Sequence, residues 1–168
     1  MDFSLRPWQA DDAASLLQYA ASSRVAANLR DTFPHPYTAA DAAWFLDDCA
    51  RADDAHDCRR AIVVDGRAVG GITLVRLDDV YSKTMEIGYW LGEPFWGRGI
   101  MTAAVRQVCA LAFARGDVER IQAAIFARNA ASQRVLQKAG FTLEGVLRRS
   151  VYKNGELMDS CMYALLKP

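Results

Sequence analysis

Residues 86–105, Glu-Ile-Gly-Tyr-Trp-Leu-Gly-Glu-Pro-Phe-Trp-Gly-Arg-Gly-Ile-Met-Thr-Ala-Ala-Val, hold the residue types from which an anion site is built. A strand-like run from Met85 to Leu91 stops at Gly92. Gly97 and Gly99 follow, one residue apart, and Thr102 opens a long apolar helix. Glycine lets the backbone approach an anion closely and adopt dihedrals closed to other residues. The N–H groups of a first helical turn then point at the ligand along a favourable dipole. Strand, Gly-rich turn and helix start in that order suit a pyrophosphate, although the same order also makes an ordinary strand-to-helix turn.

A second segment lies about thirty residues downstream: Asn129-Ala-Ala-Ser132-Gln-Arg-Val-Leu136-Gln-Lys-Ala-Gly140-Phe141. Asn129 can cap the following helix by accepting backbone N–H bonds, and Gly140 suits its left-handed C-terminal cap. Val135, Leu136 and Ala139 supply a buried stripe. Together the two segments resemble the GNAT superfamily of N-acetyltransferases. Glu-Ile-Gly-Tyr-Trp-Leu before the loop, the Trp-Gly-Arg-Gly loop, the Asn-x-x-Ser helix start and the tail from Arg148 to Asp159 are most similar to its RimJ/RimL-like branch, which acetylates the N-termini of ribosomal proteins. The resemblance runs from about Phe3 to the end, and its N-terminal third is generic.

The resemblance implies acetyl-CoA as co-substrate, lying between splayed parallel strands. The main chain of Tyr89, Trp90 and Leu91 would pair with pantetheine, and one of those N–H groups could polarise the thioester carbonyl. Trp96, Gly97, Arg98, Gly99, Ile100, Met101, Thr102 and Ala103 would wrap the pyrophosphate, chiefly through backbone donors forming a nest. Arg98 could place its guanidinium on a phosphate or remain a solvated loop cation. Pro94 departs from the family loop, which begins with Gln or Arg. Asn129 would hold the pantetheine amide, or a water beside it, besides capping its helix.

An ammonium cannot attack a thioester, so the amine needs a route for its proton. Glu86, a carboxylate in a strand otherwise built of Met, Ile, Tyr and Trp, is the candidate base. Partial burial would favour its neutral form and so strengthen it as a proton acceptor. The alternatives are a solvent-facing Glu or one paired to an arginine. Many superfamily members carry a tyrosine acid seven residues after the Asn; here that position is Leu136, which holds no proton to give. In the RimJ/RimL-like branch the serine three residues after the Asn takes that part, which implies Ser132. A first-turn serine bonded to backbone is the competing account. Tyr152 is a second candidate acid, against the tendency of a strand tyrosine to be core.

These residues need elements to position them. Phe3 to Arg6 reads as a short strand, Asp11 to Ala21 and Arg24 to Thr32 as helices, and Thr38 as the cap of a third helix through Ala50. Residues 52 to 58 read as polar loop. Strands Arg60 to Val64 and Ala68 to Leu77 flank Asp65-Gly66, a strong hairpin signal. Thr84 to Leu91 is the next strand, followed by the Gly-rich loop and a helix from Met101 to Arg115. Met101, Val105, Val108 and Ala112 share one face of that helix. Then come strand Glu119 to Phe126, helix Ala130 to Ala139, strand Thr142 to Val151, the turn Asn154-Gly155 and strand Glu156 to Leu166. The succession is mixed α/β with antiparallel hairpins at each end of the sheet. Strands 84–91 and 119–126, joined by a crossover helix, are expected to be parallel neighbours. The resemblance implies the GNAT acyl-CoA N-acyltransferase fold, a mostly antiparallel twisted sheet with flanking helices.

The chain of 168 residues is expected to form a single domain, residues 1–168. Hydrophobic residues at 52% and charged residues at 24% describe a soluble globular protein. Lys plus Arg equals Asp plus Glu, which argues against a broad basic face for nucleic acid. Cys49, Cys58, Cys109 and Cys161 show no C-x-x-C spacing, and His35 and His56 form no metal motif, so no metal is expected. Cys49 and Cys109 fall in apolar helical patterns and read as buried thiols. Neither a signal peptide nor an apolar run of membrane length is present, and the expected location is the cytoplasm.

The acceptor side is thinly specified. Phe33, Tyr37, Trp44, Trp90 and Tyr152 could line a cleft or be core. Asp31, Asp47 and Asp48 could attract a cationic amine or be solvated. The reading is an acetyl-CoA-dependent N-acetyltransferase acting by direct amine attack, with a protein or peptide N-terminus as acceptor. Mid-helix Cys109 argues against an acyl-cysteine route. The rivals are a small-molecule acetylase for an antibiotic or polyamine, and a CoA-binding regulatory module without turnover. A nucleotide-binding regulator would need the longer G-x-x-x-x-G-K-[S/T] loop or G-x-G-x-x-G with a downstream acid, and neither is present. The protein is expected to be a monomer or homodimer with no membrane partner.

Overall fold

A computed structural model describes residues 2–168. Strands β1 (Ser4–Arg6), β2 (Asp57–Val64), β3 (Arg67–Arg76), β4 (Thr84–Leu91), β5 (Arg120–Phe126), β6 (Thr142–Lys153) and β7 (Glu156–Leu166) are interspersed with helices α1 (Ala13–Tyr19), α2 (Ser23–Ala26), α3 (Ala39–Arg51), α4 (Ile100–Ala114) and α5 (Ala130–Ala139). The strand order is β1-β2-β3-β4-β5-β7-β6. β1–β2, β2–β3, β5–β7 and β6–β7 are antiparallel. β4 and β5 are parallel, with Thr84 opposite Arg120, Met85 opposite Ile121 and Glu86 opposite Gln122. The fold is thus mixed α/β with hairpins at both ends of the sheet and the expected central parallel pair.

Local chemistry accounts for the element ends. Asp65 and Gly66 join β2 to β3, and Asn154 and Gly155 join β6 to β7. All four have positive φ, as two-residue turns matched to strand twist require. Thr38 caps α3 by accepting the Asp41 N–H at 3.3 Å, while the Asp41 carboxylate accepts the Thr38 N–H at 2.7 Å. α5 ends in a left-handed Gly140, with the Phe141 N–H reaching the Leu136 carbonyl at 3.0 Å.

Two segments differ most from expectation. The helix expected over Arg24 to Thr32 is α-helical only over Ser23–Ala26. Beyond it, i→i+3 bonds such as Leu29 N–H to Ala26 C=O and Phe33 N–H to Arg30 C=O take over. Asn28, Asp31 and Pro34 favour such turns over continued helix. β2 begins at Asp57, three residues before the expected Arg60, because the ladder to β3 continues through Cys58–Leu74 and Arg59–Thr73.

The chain divides into two compact units, one built from residues up to Val75 with Gly88–Ile100, the other from Arg76–Ile87 with Met101–Pro168. In the first, Leu16, Ala20, Tyr37 and Ala42 form a core against which Trp8, Ala13, Phe33, Phe45, Leu46 and Trp90 pack. In the second, the expected α4 stripe of Met101, Val105, Val108 and Ala112 is buried, as are Ile121, Leu136, Phe141 and Tyr163. Each fully buried aliphatic side chain of such a core contributes about 1.5–3 kcal/mol.

Candidate functional site

The first unit carries the end of β4 and the Gly-rich loop. Gly70 and Gly71 of β3 let Trp90 approach: a Cβ on Gly70 would stand 2.5 Å from the Trp90 carbonyl oxygen, and one on Gly71 2.9 Å from the Trp90 indole nitrogen. A paired glycine inside a strand signals such close approach, a sign the sequence reading did not use. Trp90 also stacks with Trp8 at 6.5 Å and meets Phe33 edge-on at 5.7 Å, while Phe33 lies 5.5 Å from Tyr37. Phe33, Tyr37 and Trp90 therefore serve the aromatic core. Trp44 is exposed on α3.

After β4, Gly92 leads into a single 3-10 turn, Glu93–Phe95. Pro94 fits there because a first-turn residue needs no intrahelical N–H bond. The Trp96 indole N–H donates to the Leu91 carbonyl at 2.6 Å and ties the loop back to the strand. The Arg24 guanidinium lies 5.1 Å over the Trp96 ring and pairs with Glu93 at 2.6 Å. The Ser22 hydroxyl donates to the same carboxylate. Sequence reasoning passed over Ser22, Arg24 and Glu93, since nothing local links positions this far apart.

Gly97 and Gly99 take φ values of +73° and +77°, and a Cβ on either would meet nothing within 4 Å. The loop thus presents bare backbone to open space just before α4. The N–H groups of Ile100, Met101, Thr102 and Ala103 form the helix's first turn, where intrahelical bonding leaves donors to spare. Backbone N–H groups at the head of a helix are donors of the kind an anion accepts from. Arg98 is exposed, its guanidinium 5.9 Å over Phe95.

The second unit carries the proton-handling candidates. Glu86 is half-buried and alternates with the buried Met85 and Ile87, so it stands on the opposite face of β4 from them. Its partner in register is Gln122, whose side-chain oxygen accepts from Arg120 at 3.1 Å, and Arg120 is held by Glu144 at 2.6 and 2.8 Å.

Asn129 caps α5, its side-chain oxygen accepting the Ser132 N–H at 3.1 Å. Ser132 is half-buried in the helix's first turn, and Leu136 is fully buried on the inner face. Tyr152 is 70% exposed, opposite Leu157 near the β6–β7 turn, and so is not the core residue a strand tyrosine suggests. The Ala127 N–H donates to the Asp159 carbonyl at 2.9 Å, and Arg128 pairs with Glu156 at 3.3 Å. The turn carrying Asn129 is thereby fixed to the end of β7 that also pairs with Tyr152.

Burial pushes the Cys109 thiol up to about 12, and Cys109 is 2% exposed, so this group is a neutral, inaccessible thiol at physiological pH. Burial also raises the half-buried Cys49 thiol, against the opposing influence of Arg59. Among the described residues no cluster of His, Cys, Asp and Glu is arranged to hold a metal ion. Among the described residues no helix is long and apolar enough to cross a membrane.

Comparison with known proteins identifies the lineage of this arrangement. Residues 2–142 match the acetyltransferase (GNAT) domain. YjcK of Bacillus subtilis (strain 168), named a probable N-acetyltransferase, is 41% identical over 104 residues, which is 62% of this chain and 58% of YjcK. The ribosomal-protein-serine acetyltransferase of Escherichia coli (strain K12) is 31% identical over 103 residues, 61% of this chain and 57% of that enzyme. The chain therefore spans somewhat more than half the length of these relatives. Mycobacterium smegmatis RimJ, solved in complex with CoA-disulfide, superimposes with a TM-score of 0.82 at 27% identity, covering 98% of this chain and 81% of RimJ. With the domain match extending over most of its length, this chain belongs to the GNAT family of acetyltransferases.

Proposed function

We propose that the chain is an N-acetyltransferase that moves the acetyl group of acetyl-CoA to the N-terminal amine of a protein or peptide by direct attack, with residues 1–168 acting as one catalytic domain. The observation that carries the reading is the pair of left-handed glycines, Gly97 and Gly99, opening bare backbone at the head of α4. That is the cradle a pyrophosphate needs, and a side chain at either position would fill it.

Acetyl-CoA supplies an acyl group activated as a thioester and a thiol leaving group. The chain's own residues hold it and manage two protons. Backbone groups of Tyr89, Trp90 and Leu91 bind the pantetheine arm; the Leu91 carbonyl also accepts from Trp96, which stiffens the strand end for that task. Trp96 to Ala103 hold the pyrophosphate, with Arg98 exposed beside it. Glu86, directly or through a water, takes the proton the amine releases as the N–C bond forms. Ser132 gives its proton to the sulfur as the C–S bond breaks, and Tyr152 is the competing donor. Asn129 holds the pantetheine amide while its side-chain oxygen fixes the Ser132 backbone. The buried Cys109 supports attack without an acyl-enzyme.

The kinship with a ribosomal-protein-serine acetyltransferase supports a protein N-terminus as acceptor. The test is thiol release from acetyl-CoA with a panel of short peptides of varied N-terminal residue beside polyamines and aminoglycosides. Turnover confined to peptides upholds the proposal. Turnover confined to small amines makes the chain a small-molecule acetylase, and binding without turnover makes it a regulatory module.

A further inference from the structure

Tyr163 is 1% exposed on β7, opposite Ala123 of β5 and Leu143 of β6. A phenylalanine would fill nearly the same volume without burying a hydroxyl, which is costly unless bonded. Here the hydroxyl is bonded twice. It donates to the Gln133 side-chain oxygen at 3.0 Å and accepts from the Gln137 side-chain nitrogen at 3.3 Å. Gln133 and Gln137 are four residues apart and share one face of α5.

The direction of these bonds is set by a third. The Gln133 amide nitrogen donates to the Ala127 carbonyl at 2.8 Å, and a carbonyl can only accept. The Gln133 oxygen is thus left to receive the phenol proton, and the phenol must accept from Gln137. The Gln133 side chain bridges a phenol buried in the sheet to the turn that carries Asn129. Within that turn the Asn129 N–H reaches Phe126, the Gln133 N–H reaches the Asn129 carbonyl at 3.2 Å, and Asn129 holds the Ser132 N–H.

We propose that Tyr163 is a positioning residue: through Gln133 and Gln137 it fixes the rotation of α5 and thereby the placement of the Asn129 amide and the Ser132 hydroxyl. Its catalytic consequence rests on the role given to Ser132 above. Misplacing a reacting group by about 1 Å can cost on the order of a hundredfold in rate, so a tie at each of two helical turns has a use beyond packing.

The experiment uses Tyr163→Phe and Gln133→Leu, each alone and combined with Ser132→Ala, in the full chain. Tyr163→Phe is expected to speed hydrogen exchange at the Ser132 amide by about tenfold while the β5 amides keep wild-type protection. It is also expected to lower kcat by about tenfold, and to have no further effect in the Ser132→Ala background, as coupled residues behave. Gln133→Leu, at a half-buried position, should reproduce both effects and carries the test should Tyr163→Phe fail to fold. Unchanged Ser132 exchange in the folded variants overturns the proposal, as does a kcat loss that persists in full when Ser132 is Ala. If wild-type protein acetylates no amine at all, the functional reading fails, while the exchange measurement still decides whether Tyr163 positions the turn.

Discussion

Replacing Gly99 with valine separates two consequences of one glycine. At φ +77° an L-residue is strained by roughly 1–2 kcal/mol. Beyond its chain neighbours no described atom lies within 4 Å of the added Cβ, so no clash with another part of the fold adds to that cost. In a chain of this size each kcal/mol shifts Tm by roughly 2–4 °C, so Gly99→Val is expected to melt about 2–8 °C lower and remain folded. Ligand affinity should suffer more. The side chain enters the space that the loop backbone faces, and hydrogen bonds to a charged group are worth about 1.5–3 kcal/mol each. Losing even one exceeds the 1.4 kcal/mol of a tenfold change, so acetyl-CoA affinity, read by titration calorimetry, should fall at least about tenfold. Gly66→Val is the matched control: φ is +75°, nothing lies within 4 Å, and the residue sits in the β2–β3 turn. It should lose the same Tm and none of the affinity. A folded Gly99→Val protein with wild-type acetyl-CoA affinity, or a Gly66→Val protein equally impaired in binding, would refute the reasoning.

Glu86→Gln should lower turnover by roughly 10² to 10⁴ with little change in acetyl-CoA affinity; unchanged turnover and pH dependence at saturating acetyl-CoA would make Glu86 structural. Ser132→Ala should slow turnover by about one to two decades, because a thiol of ordinary pKa near 8.5 needs only modest help to leave. If Tyr152→Phe is the slow variant instead, the β6 tyrosine supplies the proton. Cys109→Ala should leave the rate unchanged, and no acetyl group should remain on the protein after gel filtration; retained label would reinstate a covalent route. Burial alone would raise the Asp12 carboxyl, but the Arg6 bidentate pair at 2.7 Å and the Gln9 N–H outweigh it and hold Asp12 below its ordinary 3.8. A depressed folded value contributes stability above the unfolded pKa that is lost as pH falls through the folded one. Asp12→Asn should therefore flatten the acid limb of a Tm-versus-pH curve taken from about pH 6 to pH 2, and an unaltered limb would place the acid sensitivity elsewhere.

What was legible in the sequence was whatever short-range chemistry specifies. β4, α5 and β7 begin and end where their residues said they would, because Asn129, Gly140 and the Asn154-Gly155 turn act on backbone within a few residues of themselves. The left-handed Gly97 and Gly99 belong to the same class: a G-x-G ahead of an apolar helix declares its backbone geometry locally. The overlong helix after Arg24 shows the limit of periodicity, since i→i+3 turns carry the same apolar spacing. Only the tertiary structure could decide which aromatics are core, because Trp90 is partly buried against Trp8 and Phe33 from distant segments while Tyr152 is left exposed by pairing near a hairpin end. The supports of the Gly-rich loop and of α5 were hidden for the same reason. Glu93 is held by Ser22 and Arg24, and the first turn of α5 by Tyr163, across separations of about thirty to seventy residues. A hydrogen bond between groups so far apart in the chain has no local signal, because its existence depends on where the packed elements bring its two ends.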